Sequence, residues 1–330
     1  MFEQAEKLIK ESNTIYITAH KNPDGDAIGG DIALYLALKK LNKNVNFLIS
    51  SYADSFNFLT EINQSVKSVD KSSYDLLIAI DSSDKSRLDI NEDDFKKAKK
   101  VLMLDHHKMS APYGDVNCID EDSPAVCQII YEFLIKMNID IDIDIAKYIY
   151  IGIMTDTGSF NYSSTTAQTL EIASKLVATG IDFSYICNKL NHTIKEAKLK
   201  LIAKTIEKME VYFDGQVRYS FIDYNTIADL GLSDEDAEGM TNYLQMPEGT
   251  RVAVYIRQKK DGTYKVSMRS DDKVNVGQIA IEFGGGGHKR AAGYDIIEKL
   301  DIEKKKLLEA LEENLKGDVI EWVLKLNQVF

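Results

Sequence analysis

Along the first half of the chain, short and almost unbroken apolar runs alternate with longer stretches of helical periodicity. TIYITAH (Thr14 to His20), NVNFLIS, YDLLIAIDSSD and KKVLMLDHH are β-rich or continuously apolar, and each ends on polar residues. Such runs, separated by helices, predict buried parallel strands in a βα sheet. AIGGDIALYLALKKLN supplies a helix after the first run. Ser123-Pro124 reads as an N-cap and first-turn pair that opens the apolar stripe of SPAVCQIIYEFLIKM. IDIDIDIAKYIYIGIM suits strand or helix, and from Ile145 we expect a helix running into TDTGSF.

The second half has a different texture. Phe183 to Tyr212 is lysine-rich and helical in pattern, with neither Gly nor Pro. We expect a domain over 1–182, a helical linker over 183–213 and a second domain over 214–330. QVRYSFID reads as a strand, and RVAVYIRQKKDGTYKVSMRS as a hairpin turning at Asp261-Gly262. A helix then leads into FGGGGHKRAAG, and DIEKKKLLEALEENLK forms another. The fold class expected is α/β: a parallel sheet with flanking helices, joined by the linker to a smaller α/β domain. VIEWVLKLNQVF carries the only tryptophan and is too apolar for a free tail. It is expected to pack on the protein or on a second subunit, which admits a homodimer.

Totals narrow the function. A length of 330 residues suits two domains. A formal net charge of −12 argues against a broad grip on long nucleic acid. It leaves room for a small phosphorylated ligand in a local pocket. Cys118, Cys127 and Cys187 are odd in number and lack C-x-x-C spacing, so neither a disulfide framework nor a zinc site is read. That usage suits a reducing cytoplasm. MFEQAEKLIKES has no apolar signal-peptide core, and no apolar run approaches the ~18 residues of a spanning helix. A cytoplasmic protein without a membrane partner is expected.

The candidate chemistry lies at the ends of the apolar runs. The first ends on His20, followed across a turn by Asp24 and Asp26; the next ends on Asp81; a third ends on Asp105, His106 and His107. Asp156 follows YIGIMT. Taken singly, these are ordinary turn or capping residues. Yet three of the five histidines sit at strand ends beside acids, and ligands of parallel sheets bind beyond the carboxyl ends of strands. We therefore expect a shared metal site. Asp24, Asp26, Asp81 and Asp156 packed together would repel one another, and two divalent ions would cancel four such charges. Mixed imidazole and carboxylate ligation favours manganese or cobalt over magnesium.

The glycine run before His288 stays open on its residues alone. It lacks the Lys-Ser/Thr of a Walker A loop and the spacing of a dinucleotide fingerprint. Its amides would suit an anion, with Lys265, Arg269, Lys273, Lys289 and Arg290 nearby. A tight turn before a helix would explain the glycines as well.

HKNPDGDAIGG, DSSD, LDHH and TDTGSF, in this order, resemble the four N-terminal motifs of the DHH phosphoesterase superfamily, and GGGGHKRAAG resembles the signature of its DHH-associated C-terminal domain. The resemblance spans essentially the whole chain and is nearest to the stand-alone nanoRNase/pAp phosphatase branch. It implies one ion held by His20, Asp24 and Asp81, and another by Asp26, Asp81, His106 and Asp156. His107 would bond the scissile phosphate, with Asp105 orienting His106 or His107. Arg269, Ser270, Gly285, Gly286, Gly287 and His288 would bind substrate.

The implied reaction is hydrolysis of short RNAs and of adenosine 3′,5′-bisphosphate (pAp) by water activated between two metals. Metals on one domain and a phosphate grip on the other would limit substrate length. A cyclic-dinucleotide phosphodiesterase, acting on cyclic di-AMP or pApA, is the rival enzyme. A nucleotide sensor without turnover is the rival of another class. Gly30 departs from the family pattern, which often has Ser or Thr there.

Overall fold

The computed structural model describes residues 2–326 apart from Met109, Asp272, Ile297 and Glu298, with side chains of the last helix described as far as residue 316. The chain forms two compact units, Met1–Thr193 and Ile194–Phe330. Their boundary falls inside the segment 183–213.

In the first unit, α1 (Glu3–Glu11), β1 (Thr14–Thr18), α2 (Gly25–Lys40) and β2 (Asn44–Leu48) are followed by β3 (Tyr74–Ile80) and the short α3 (Glu92–Lys96). Then come β4 (Ala98–Asp105), β5 (Val116–Ile119), α4 (Val126–Lys136), α5 (Ile143–Asp156), α6 (Ala167–Ala178) and α7 (Phe183–Cys187). The sheet runs β2-β1-β3-β4-β5, and every pairing is parallel. The chain winds one way from β1 to β2 and the other way from β3 onward. The switch point between β1 and β3 is where such sheets open a crevice.

Both faces of this sheet are covered, which accounts for the unbroken apolar runs. Ile15, Ile17, Leu76, Ile78 and Ile80 enter the main core with α2, α4 and α5, while Tyr16, Tyr74 and Leu77 pack on the other face. Helix α2 is buried around most of its circumference. A Cβ at Gly30 would lie 2.6 Å from Ile80 Cδ1 and 2.9 Å from Ile130 Cδ1, so core packing accounts for the glycine at this position.

Helix α4 corrects one expectation. It starts at Val126 behind Ala125, not at Ser123-Pro124. The Ser123 hydroxyl donates to Ala125 O at 2.9 Å and caps nothing.

The second unit begins with α8 (Glu196–Glu207), β6 (Glu210–Tyr212), β7 (Val217–Ile222), α9 (Tyr224–Asp229) and α10 (Met240–Gln245). It continues through β8 (Val252–Gln258), β9 (Tyr264–Ser270), α11 (Val276–Glu282), β10 (Gly286–His288), β11 (Ala291–Ile296) and α12 (Leu300–Leu326). Its sheet runs β10-β11-β9-β8-β7-β6, antiparallel except between β7 and β8. Leu201 and Ile202 of α8 pack with Ile222, Ile227, Leu244 and Tyr255 on one face, and Leu307, Leu311 and Leu315 of α12 cover the other. The side chains of VIEWVLKLNQVF, and with them the expected packing of that tail, lie outside the described residues. No described helix is long and apolar enough to cross a membrane.

Candidate metal centre

The switch point gathers all six expected ligands. His20 follows β1, Asp24 and Asp26 open α2, Asp81 follows β3, His106 follows β4, and Asp156 closes α5. Asp81 lies between two groups. Its Oδ2 is 3.6 Å from His20 Nε2, and its Oδ1 is 3.3 Å from His106 Nε2. His20 Nε2 also faces Asp24 Oδ2 at 3.8 Å, while His106 Nε2 faces Asp156 Oδ2 at 3.2 Å and Asp26 Oδ2 at 3.8 Å. Asp81 reaches this position in a left-handed backbone conformation, φ +51°, with its amide donating to Leu104 O at 3.0 Å. Its buried surroundings hold Asp81 in this conformation.

Both histidines are aimed by the backbone. His20 Nδ1 lies 2.9 Å from Lys21 O, and His106 Nδ1 lies 3.3 Å from Ser123 O. A carbonyl only accepts, so each Nδ1 carries a proton and Nε2 is the nitrogen turned to the acids. Burial presses the His106 ring down, but the Asp156 and Asp81 carboxylates outweigh it and its pKa is pushed up to about 11. His20 follows the same contest, with Asp24 and Asp81 raising it to about 10. Burial raises Asp81, yet His106 and His20 hold it below the usual carboxylate range. Burial, then Asp156 and Asp81, push Asp26 well up.

These shifts describe a nest of acids that keeps protons where cations would otherwise sit. His106 Nε2 and Asp81 Oδ1 are buried with no hydrogen-bond partner. Orphaned polar atoms of this kind cost roughly 1–3 kcal/mol each, and a cation would satisfy both. The donor set therefore fits divalent metal, in three groupings whose ligand atoms lie within 4.8 Å of one another: His20, Asp24 and Asp81; Asp26, His106 and Asp156; and Asp81, His106 and His107.

Local structure holds the acids in place. Asp24 caps α2, its Oδ1 accepting from Asp26 N at 3.0 Å and Ala27 N at 3.1 Å. Asp26 is fully buried and accepts from Val126 N at 2.6 Å and Cys127 N at 3.0 Å. It does for α4 what Ser123 was expected to do. A Cβ on Gly25 would fall 2.4 Å from Thr155 Oγ1, so the DGD and TDT segments touch and fix Asp24 and Asp26 against Asp156.

Asp105 pairs with His107, Oδ1 to Nδ1 at 2.8 Å, and not with His106. The Ser110 hydroxyl lies within hydrogen-bond reach of the other Asp105 oxygen and of His107 O, its single proton going to the carboxylate. His107 is thus oriented through Asp105 while its ring stays partly exposed. Ser110 and Thr155 escaped the sequence reading. Ser110 finds its partners across a turn, while the Thr155 hydroxyl bonds back to Ile151 O and Gly152 O of its own helix and its contact with Gly25 depends on the tertiary fold.

The second unit places the remaining candidates by register. Arg269 pairs with Ala291, which pairs with His288; Ser267 pairs with Gly293, which pairs with Gly286. Paired residues share a face and alternate residues return to it, so these six lie on one face of β9, β11 and β10. Val266, Met268, Ala292 and Tyr294 fill the core on the other. Arg269 and His288 flank a floor of Ala291, Gly293 and Gly286 that is almost free of side chains. Ser270 falls on the core side, its hydroxyl donating to Val274 O at 2.7 Å. Lys289 and Arg290 are exposed in the turn beyond.

The glycine run turns out of α11 at Gly284 and enters an edge strand at Gly286, and no helix follows it directly. A Cβ on Gly285 would lie 2.3 Å from Gly293 O, and Gly287 adopts φ +142° with Ala291 O 2.5 Å from where a Cβ would be. Gly286 has open space around it. The fold does not require that glycine.

A switch-point cluster of acids and histidines, joined in one chain to a glycine-edged mixed sheet, defines a class. Residues 14–153 match the DHH family N-terminal domain and residues 214–317 match the DHHA1 domain. The chain belongs to the DHH family. It is 30% identical to the bifunctional oligoribonuclease and PAP phosphatase NrnA of Mycoplasma genitalium, over 91% of this chain and 93% of that one. It is 29% identical to the protein of the same description from Thermus thermophilus, over 94% and 93% of the two chains. A crystal structure of an exopolyphosphatase-related protein from Bacteroides fragilis shares the fold, with a TM-score of 0.85, 23% identity and coverage of 96% and 95%.

Proposed function

We propose that this protein hydrolyses short oligoribonucleotides and pAp with two divalent cations, manganese fitting the mixed nitrogen and oxygen ligands best. The observation that carries the reading is Asp81, one oxygen turned to His20 and the other to His106. His20, Asp24 and Asp81 would hold one ion; Asp26, Asp81, His106 and Asp156 would hold the other, with Asp81 bridging. Cations held there supply polarisation of a phosphoryl oxygen and a water of lowered pKa.

The chain's own groups do the rest. Asp105, itself held by Ser110, fixes the His107 ring, whose Nε2 is left to hydrogen-bond the scissile phosphate and protonate the leaving oxygen. Arg269 and His288 bind a substrate phosphate over the bare floor at Gly286, with Gly285 and Gly287 shaping the strand and Ser270 anchoring its neighbour. The net charge of −12 favours small substrates gripped by a few local contacts. The odd count of three cysteines suits a reducing cytoplasm.

The test is a parallel assay with manganese on pAp, a labelled dinucleotide, pApA, cyclic di-AMP and a long RNA. Fastest turnover of pAp and the dinucleotide is expected. Preference for cyclic di-AMP or pApA would move the enzyme to cyclic-dinucleotide chemistry. Preference for the long RNA would remove the size argument, and turnover of none would leave a sensor.

A further inference from the structure

Directly after Asp156 the backbone is left-handed at three successive residues, Gly158, Ser159 and Phe160, with φ of +55°, +58° and +65°. Residues with a Cβ adopt this conformation only where their surroundings hold it. Here the hold is dense. Ser159 N donates to Met154 O at 2.7 Å, and Phe160 N donates at 3.0 Å to the hydroxyl of buried Thr157. Asn161 N and Tyr162 N both donate to Thr157 O at 3.0 Å, and Asn191 Nδ2 donates to Ser159 Oγ at 2.8 Å.

This turn sends two aromatic rings in opposite directions. Phe160 packs against the core, its ring 6.0 Å from that of Tyr150. Tyr162 goes outward and is 55% exposed. Its ring lies against Gly158, where a Cβ would fall 2.5 Å from Cε1 and Cζ. Gly158 is two residues beyond Asp156, so their Cα atoms are at most ~7.6 Å apart. The chain thus holds an exposed aromatic ring, braced on a left-handed turn that starts two residues past a candidate metal-ligating carboxylate.

We propose that Tyr162 is a base-stacking platform: its free face takes a nucleobase of the nucleotide whose phosphate reaches the metal centre. The ligand class is a purine or pyrimidine nucleotide. Stacking tolerates any base, which suits an enzyme for short RNAs of mixed sequence. The assignment rests on the phosphoesterase reading of the neighbouring centre.

The test reads binding instead of turnover. AMP and ribose 5-phosphate share a phosphate and a sugar but differ in the base. Each is titrated by calorimetry into the full chain with manganese present. The wild type should bind AMP more tightly than ribose 5-phosphate. Tyr162→Leu, which keeps an apolar brace over Gly158, should weaken AMP by at least about fivefold and leave ribose 5-phosphate unchanged. Tyr162→Phe and Tyr162→Trp should keep the AMP preference, and all three variants should melt with the wild type.

Equal loss for both ligands, intact AMP binding in Tyr162→Leu, or no AMP preference in the wild type would overturn the proposal. Failure to hydrolyse any substrate would instead sink the functional reading while leaving these titrations interpretable.

Discussion

The first unit buries charge, whereas the second bares its backbone. At the end of the parallel sheet, Asp26, Asp81 and Asp105 are buried and held by amides, histidines and a serine. At the edge of the mixed sheet, the glycine strand is exposed and carries almost no side chains. The cost in the first unit is electrostatic, since carboxylates out of water repel one another. The cost in the second is conformational and steric, since glycines loosen the unfolded chain and a Cβ finds no room at Gly285. An ion site needs charges fixed before the ion arrives. A phosphate grip needs room for the ligand to reach main-chain amides.

The largest effects should come from breaking the first kind of site. Asp81→Ala should lower kcat/KM on the order of 10³-fold, beyond the about 10–100-fold usual for partners one step from a metal. It should also reduce the manganese bound per chain, measured by metal analysis after gel filtration. Full metal content with full activity would remove Asp81 from the centre. On the proposed role of His107 as a proton donor, His107→Gln should cost about 10²-fold in kcat while both ions stay bound. Loss of metal in that variant would make it a ligand.

A smaller effect separates two neighbouring glycines. Gly286→Ala should raise KM about tenfold, the worth of one hydrogen bond to a charged group, with no change in melting temperature. Gly285→Ala should lower stability by about 1–3 kcal/mol, because its Cβ would meet Gly293 O. Equal melting losses in the two variants would erase the distinction drawn between them.

The smallest effect on activity concerns Asp31, a carboxyl of the first unit outside the expected ligand set. Both of its oxygens are buried without partners, and burial, then Asp89, push its pKa well above the usual value. The folded state therefore keeps a proton that the unfolded chain releases above about pH 4. Stability is lost as pH rises from there toward the folded pKa, by at most about 1.4 kcal/mol per unit. In metal-free protein, Asp31→Asn should melt above the wild type, by a margin that widens from pH 5 to pH 7. A margin independent of pH would mean that Asp31 titrates normally.

The sheet and the cluster were legible because the signal is in the strand ends. A buried parallel strand must be apolar throughout, so a polar residue at its end is conspicuous, and parallel strands present those ends together. His20, Asp81 and the run Asp105 to His107 follow from that alone, while the choice of His106 within the run rests on the family resemblance. The role of Asp26 as the cap of α4 does not, because its partners are 100 and 101 residues away and Ser123-Pro124 offers a better local signal. The inward turn of Ser270 is legible in the alternation, since Val266, Met268 and Ser270 fall on one face of β9, but the resemblance draws Ser270 to the substrate side. Segment 183–213 lacks Gly and Pro and reads as one uniform connector. Only the core tells that Leu201 and Ile202 belong to the second unit.

The reach of Asp26 has a further consequence. The carboxylate that faces His106 is also the acceptor for the first amides of α4. A diamagnetic ion held by Asp26 would draw electron density from both hydrogen bonds, which would make the amides of Val126 and Cys127 a built-in occupancy gauge. Their nuclear resonances, a hundred positions along the chain, would register loading of the centre without any substrate or turnover.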